Sequence, residues 1–118
     1  MKERVYKSSD FLESNTGDPI RSVISESKES AVIAWHINPG QKISAHLHPH
    51  GQDTWIIQSG KGEYRLDKAG TTNFIRAGDV VIAYPGDTHG VLNTGSEPLI
   101  FISVVSPSLS GYELLHDQ

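Results

Sequence analysis

The chain has 118 residues, with 10 Lys and Arg against 14 Asp and Glu, and a formal net charge of -4. That length suits one hydrophobic core and is too short for two, so a single domain over residues 1–118 is expected, and without a basic excess nucleic acid is not an expected partner. No cysteine is present, which removes disulfides, thiolate metal sites and cysteine nucleophiles together. No stretch approaches the roughly 18 apolar residues that a membrane span needs, and the charged start MKERVYKSSDF lacks the apolar core of a secretory signal, so a cytoplasmic protein with no membrane partner is expected.

Residues 1–20 are polar and mixed, anchored by Val5, Tyr6, Phe11 and Leu12, with a turn at SNTGDP over 14–19, and read as an edge strand or a dimer arm. Runs rich in Val and Ile at 21–25 and 30–37, separated by the polar SESKES, predict an antiparallel hairpin. In the second run Ala31, Ile33, Trp35 and Ile37 share one face, and Val32, Ala34 and His36 the other, so both faces are expected to be at least partly covered.

After the break at Asn38, Pro39 and Gly40, short strands are predicted at 43–48, 53–58, 62–67, 72–76, 80–83, 89–93 and 99–105, each bounded by Gly, Pro, Asn or Asp. No window keeps a helical period, and the terminal GYELLHDQ is too short to assign. Regularly spaced short strands with turn signals point to an all-β sandwich or barrel.

The stretch 40–60, GQKISAHLHPHGQDTWIIQSG, holds three of the six histidines. Alternation along a strand puts His46 and His48 on one face, the arrangement by which a strand offers two metal ligands. Asp53 opens the next strand and shares a face with Trp55 and Ile57, which favours it over Gln52 as an inward oxygen ligand. His89 opens a strand in a second Gly-rich stretch. Without sulfur, such a set suits Zn, Fe, Ni, Mn or Cu. The bland alternative for His46 and His48 is a hydrogen-bonded pair in the barrel wall. His50, between Pro49 and Gly51, belongs to a turn. His36 reads as a satisfied wall residue, and His116 as solvated. Asn93 is assigned to pinning a turn, the glycines at 40, 60, 78 and 86 to turn geometry, and Trp55, Tyr64 and Tyr84 to the core or the mouth of a cavity.

These residues resemble the two motifs of small single-domain cupins. The first, Gly-x5-His-x-His-x4-Glu-x6-Gly, is matched over 40–60 by Gly40, His46, His48 and Gly60, with Asp53 in place of Glu. The second, Gly-x5-Pro-x-Gly-x2-His-x3-Asn, is matched over 78–93 by Gly78, Gly86, His89 and Asn93, with Tyr84 at the proline position. The resemblance implies a double-stranded β-helix, or jelly-roll-like barrel, of antiparallel strands. It also implies a divalent transition metal held by His46, His48, Asp53 and His89.

The function so implied is binding or conversion of a small molecule, with dioxygenase and isomerase chemistry among the family's activities. The alternatives are a non-enzymatic ligand-binding or sensor domain whose metal orders the pocket, and a metal-free scaffold. No catalytic residue is assigned; Asp87, beside His89, is the nearest candidate for a general base. A homodimer is expected, with the N-terminal segment or the apolar run at 99–105 as pairing edges.

Overall fold

In a computed structural model that describes residues 2–115, the predicted runs become strands: β1 (Ser22–Glu26), β2 (Ala31–Ile37), β3 (Lys42–Leu47), β4 (Gln52–Ser59), β5 (Lys61–Arg65), β6 (Thr72–Arg76), β7 (Val80–Ala83), β8 (His89–Leu92), β9 (Leu99–Ser106) and a short β10 (Glu113–Leu114). They build two five-stranded antiparallel sheets, ordered β1-β2-β9-β4-β7 and β10-β3-β8-β5-β6. The all-β, jelly-roll-like architecture is as expected. Gly40, Gly60, Gly78 and Gly86 all take positive φ at turns. No helix among the described residues is long and apolar enough to cross a membrane.

Alternation on β9 decides where the core lies. Leu99, Phe101, Ser103 and Val105 point inward and are all buried. Register sets them level with residues of both neighbours: Leu99 with Ile37, Phe101 with Trp35 and Ile57, Ser103 with Ile33 and Trp55, Val105 with Ala31 and Asp53. At the Leu99 and Phe101 levels the interior is filled by Ile37, Trp55, Ile57, Tyr64, Ile75 and Val91. Trp55 stacks on Phe101 at 4.3 Å between ring centroids and meets Tyr64 edge-on. At the Ser103 and Val105 levels the interior opens into a cavity of about 430 Å³. One end of the barrel is therefore core and the other is pocket, with Trp55 on the boundary.

Two sequence expectations do not hold. The N-terminal segment is not a strand: Ser8–Phe11 is a single 3-10 turn, and the chain after it is tied to the turn between β2 and β3. There Asn38 donates to Ser14 Oγ and the Asn15 carbonyl, and Gln41 donates to the carbonyls of Asn15 and Gly17. The run 99–105 is not an edge, because β9 is paired with β2 on one side and β4 on the other, which leaves no row of backbone groups for a partner. His116 lies outside the described residues.

Candidate metal centre

The site begins with an irregularity in β3. Ile43 pairs with Val91 and His46 with His89, three steps on one strand against two on the other. One extra residue on β3 is a β-bulge, and it reverses the inward parity. Ile43 and His46 thus both face the interior, although strict alternation would separate them. Opposite the bulge Gly90 leaves no room for a side chain, since a Cβ there would stand 2.8 Å from the Ile43 carbonyl oxygen and 3.1 Å from Ala45 N.

The bulge also turns the Ser44 carbonyl toward His46, whose Nδ1 donates to it at 2.7 Å. His48 Nδ1 donates to the Gly111 carbonyl at 2.7 Å, and His89 Nδ1 to that of Asp87 at 3.2 Å. A carbonyl oxygen can only accept, so each Nδ1 carries the hydrogen, and in the neutral ring the lone pair is on Nε2. The ligand atoms of His46, His48, His89 and Asp53 all lie within 4.8 Å of one another. Asp53 Oδ2 is 3.0 Å from His89 Nε2 and 3.6 Å from His48 Nε2, while Oδ1 accepts from Ser103 Oγ at 2.6 Å. His46, Asp53 and His89 are buried, and His48 is 14% exposed.

This donor set fits a divalent transition ion. Three lone pairs and a carboxylate oxygen converging in a buried space repel one another unless a cation or proton lies between them. Their spread is close to the roughly 4 Å between opposite ligands bonded at about 2.1 Å. The ordinary causes of pKa shift act on the same four groups. Burial, reinforced by the neighbouring His89, pushes His46 down to about 4, so this ring is neutral at neutral pH. Burial would lower His48 as well, but Asp53 and the Gly111 carbonyl outweigh it and hold the ring above its ordinary value, with Arg21 working against them. Burial would raise Asp53, but the His48 and His89 rings beside its carboxylate and the Ser103 hydroxyl donating to it keep it well below the usual carboxylate range.

The remaining sequence candidates separate cleanly. Gln52 bonds Thr54 Oγ1 and does not line the cavity, whereas Asp53 is buried and faces it, the side that alternation favoured. His50 is exposed in its turn, His36 is satisfied by Asn38 Oδ1 at 3.1 Å, and Asn93 pins the turn before β9 through Ile37 O, Glu97 O and Gly95 N. The Asp87 carboxylate is exposed, caps the Tyr84 N–H and does not line the cavity, while its main-chain oxygen orients His89. Of the three aromatic candidates Trp55 lines the cavity, Tyr64 is in the core, and Tyr84 is exposed outside it.

Sequence reasoning missed the C-terminal segment. Residues 108–112 form one wall of the cavity, held by β10 pairing with Leu47 and His46 and by the His50 N–H donating to the Ser110 carbonyl. Tyr112 lies over His46 with ring centroids 5.1 Å apart. A two-residue strand carries no periodic signal; Gly111, whose carbonyl holds His48, was the available cue.

The lowered value of His46 has a consequence for stability. An unfolded chain leaves His46 at 6.5 whereas the fold lowers it to about 4, so the unfolded state takes up a proton first as pH falls. Stability from a neutral His46 is therefore complete above 6.5 and is lost between 6.5 and about 4 in metal-free protein. His48 opposes this, because its raised value contributes stability below 6.5 that disappears as pH rises through the folded value. Asp53 contributes stability above 3.8, lost only on further acidification. In chelator-treated protein, urea midpoints measured across this range fall less steeply on acidification for His46→Gln than for the parent; an equal fall would contradict the burial account of His46.

The family model for the cupin domain (Cupin_2) matches residues 33–105. An uncharacterized conserved protein with a double-stranded beta-helix domain from Klebsiella pneumoniae subsp. pneumoniae MGH 78578 is 44% identical and superimposes with a TM-score of 0.94, covering 98% of this chain and 100% of that one. An RmlC-like cupin protein from Desulfovibrio desulfuricans shares the fold at 17% identity and a TM-score of 0.80, covering 91% and 99% of the two chains. Mannose-1-phosphate guanylyltransferase RfbM of Salmonella typhimurium is 29% identical over 90 residues, which are 76% of this chain but 18% of that relative. With both sheets, the motif glycines and the converging histidines in place, the chain belongs to the cupin domain family.

Proposed function

We propose that this cupin binds one divalent transition ion through His46, His48, Asp53 and His89 and uses it on a small chelating molecule held in the adjoining cavity, with oxygenase or isomerase chemistry as the reaction class. One observation carries the reading: all three Nδ1 hydrogens are committed to main-chain carbonyls, which leaves three Nε2 atoms and one carboxylate oxygen aimed at a common point. When bound there, the ion supplies Lewis acidity or an oxygen-binding centre.

The chain's own residues do the rest. His46 stays neutral and ready to bind, and Ser103 fixes the orientation of Asp53. The apolar walls from Ile33, Trp35 and Val105 limit water around the site, which strengthens every polar contact made there.

A second reading, binding without turnover, is favoured by the lining of the cavity. Beyond the proposed ligands, the lining holds no Asp, Glu, His or Lys side chain to serve as a general base.

We also propose a homodimer. Its contact would use the outer face of the first sheet, where Ile56 is 44% exposed and its register partner Val80 is 57% exposed, with Ile82 beside them.

Protein purified without an affinity tag is expected to hold close to one transition ion per chain, and His48→Ala to weaken binding by at least the roughly 10–100-fold typical of losing an outer partner. Absence of metal, with none taken up on addition, would contradict the ligand assignment. Oxygen uptake or isomerisation over a panel of diketones, keto sugars and hydroxy acids, abolished in His48→Ala, supports catalysis; tight binding without turnover supports the second reading. Sedimentation at micromolar concentration checks the dimer, and Val80→Asp is expected to shift it to monomer. A parent protein that is already monomeric would reject it.

A further inference from the structure

The cavity above the four converging side chains contains one Lys or Arg, Arg21, in the segment just before β1. Its acidic neighbour Glu26 is loosely placed, with oxygen and nitrogen 3.9 Å apart and both side chains half exposed. A contact that long and solvated holds a guanidinium weakly. Arg21 makes no hydrogen bond among the described residues, so its planar fork of donors remains available to an anion.

The surrounding wall is different in character. Ile33, Trp35, Ile43, Val105, Leu109 and Tyr112 present apolar or aromatic surface to the same cavity. Trp55, stacked on Phe101, closes the cavity on the core side.

We infer that the cavity selects a small organic acid, with its carboxylate paired to Arg21 and its apolar body against the aromatic and aliphatic wall. A carboxylate fits better than a phosphate. One guanidinium matches one carboxylate in bidentate geometry, whereas the second charge of a dianion would find no second Lys or Arg in the lining. The inference rests on the reading of this cavity as a small-molecule site and narrows it from chelating molecules in general to acids.

Both tryptophans of the chain, Trp35 and Trp55, line the cavity, so binding is read from intrinsic fluorescence and confirmed by calorimetry. The probes are 4-methyl-2-oxopentanoate and hexanoate, each against its own amide, together with hexyl phosphate. The titrations are run on metal-free protein and on protein loaded with zinc. Each acid is expected to bind roughly tenfold or more tightly than its amide, the gain from a charge-assisted pair, and more tightly than the phosphate ester. Arg21→Gln is expected to remove that preference while leaving zinc content and the urea midpoint unchanged, and Arg21→Lys to keep part of it.

Equal binding of acid and amide, no binding of either acid at millimolar concentration, a preference for the phosphate ester, or an acid preference that survives Arg21→Gln would each overturn the inference. Failure of the metal reading has a different signature: zinc is not retained, while the acid preference persists in metal-free protein.

Discussion

Everything distinctive about this molecule depends on where three imidazole hydrogens go. Each of His46, His48 and His89 spends its Nδ1–H on a main-chain carbonyl. The opposite nitrogens are thereby turned toward Asp53 in a place from which water is largely excluded. Four electron-rich atoms held that close are costly to bury without a positive charge among them. Ser44 lies in a bulge, Asp87 in the turn before β8, and Gly111 in the C-terminal segment. Three separate pieces of backbone are thus recruited to aim one set of side chains, and a shift in any of them re-aims a ring.

The rest of the barrel makes that arrangement affordable by dividing its interior along β9. Leu99 and Phe101 complete a dense aromatic and aliphatic core with Trp55, Ile57 and Tyr64. Ser103 and Val105, on the same face of the same strand, look into the cavity. Ser103 is the point of contact between the two regions, because its hydroxyl fixes the Asp53 carboxylate from the core side. The site is therefore carried mostly by strands that are themselves anchored in core. The exception is the C-terminal wall, where a two-residue strand and a few main-chain bonds hold Tyr112 over His46.

Much of this was legible in the sequence because strand parity is a local rule. It placed His46 with His48, set Asp53 with Trp55 and Ile57 on the buried face, and favoured Asp53 over Gln52. The turn glycines marked strand ends, and the two motif spacings joined His89 to the first cluster. What could not be read has physical reasons. The bulge in β3 breaks parity between Ile43 and His46, and its mark is the absence of a side chain at Gly90 on a strand distant in sequence. β9 looked like a free edge because its two apolar faces are equally consistent with an edge and with a centre; only pairing decides. The N-terminal segment has a strand's composition at Val5 and Phe11 but no run long enough to outweigh the hydrogen bonds that tie its continuation to Asn38 and Gln41. Arg21 precedes its strand, and nothing local distinguishes it from a solvated charge.

The account stands or falls on which atoms hold the ion. A crystal of untagged, metal-loaded protein, with the ion located by anomalous scattering at its own absorption edge, measures this directly. Ligation by these four side chains predicts a single strong peak within about 2.0–2.3 Å of the Nε2 atoms of His46, His48 and His89, with an Asp53 oxygen in the same coordination sphere. A peak at an Nδ1 atom, a peak elsewhere on the chain, or an ion that leaves any of the three histidines outside its coordination sphere would contradict it.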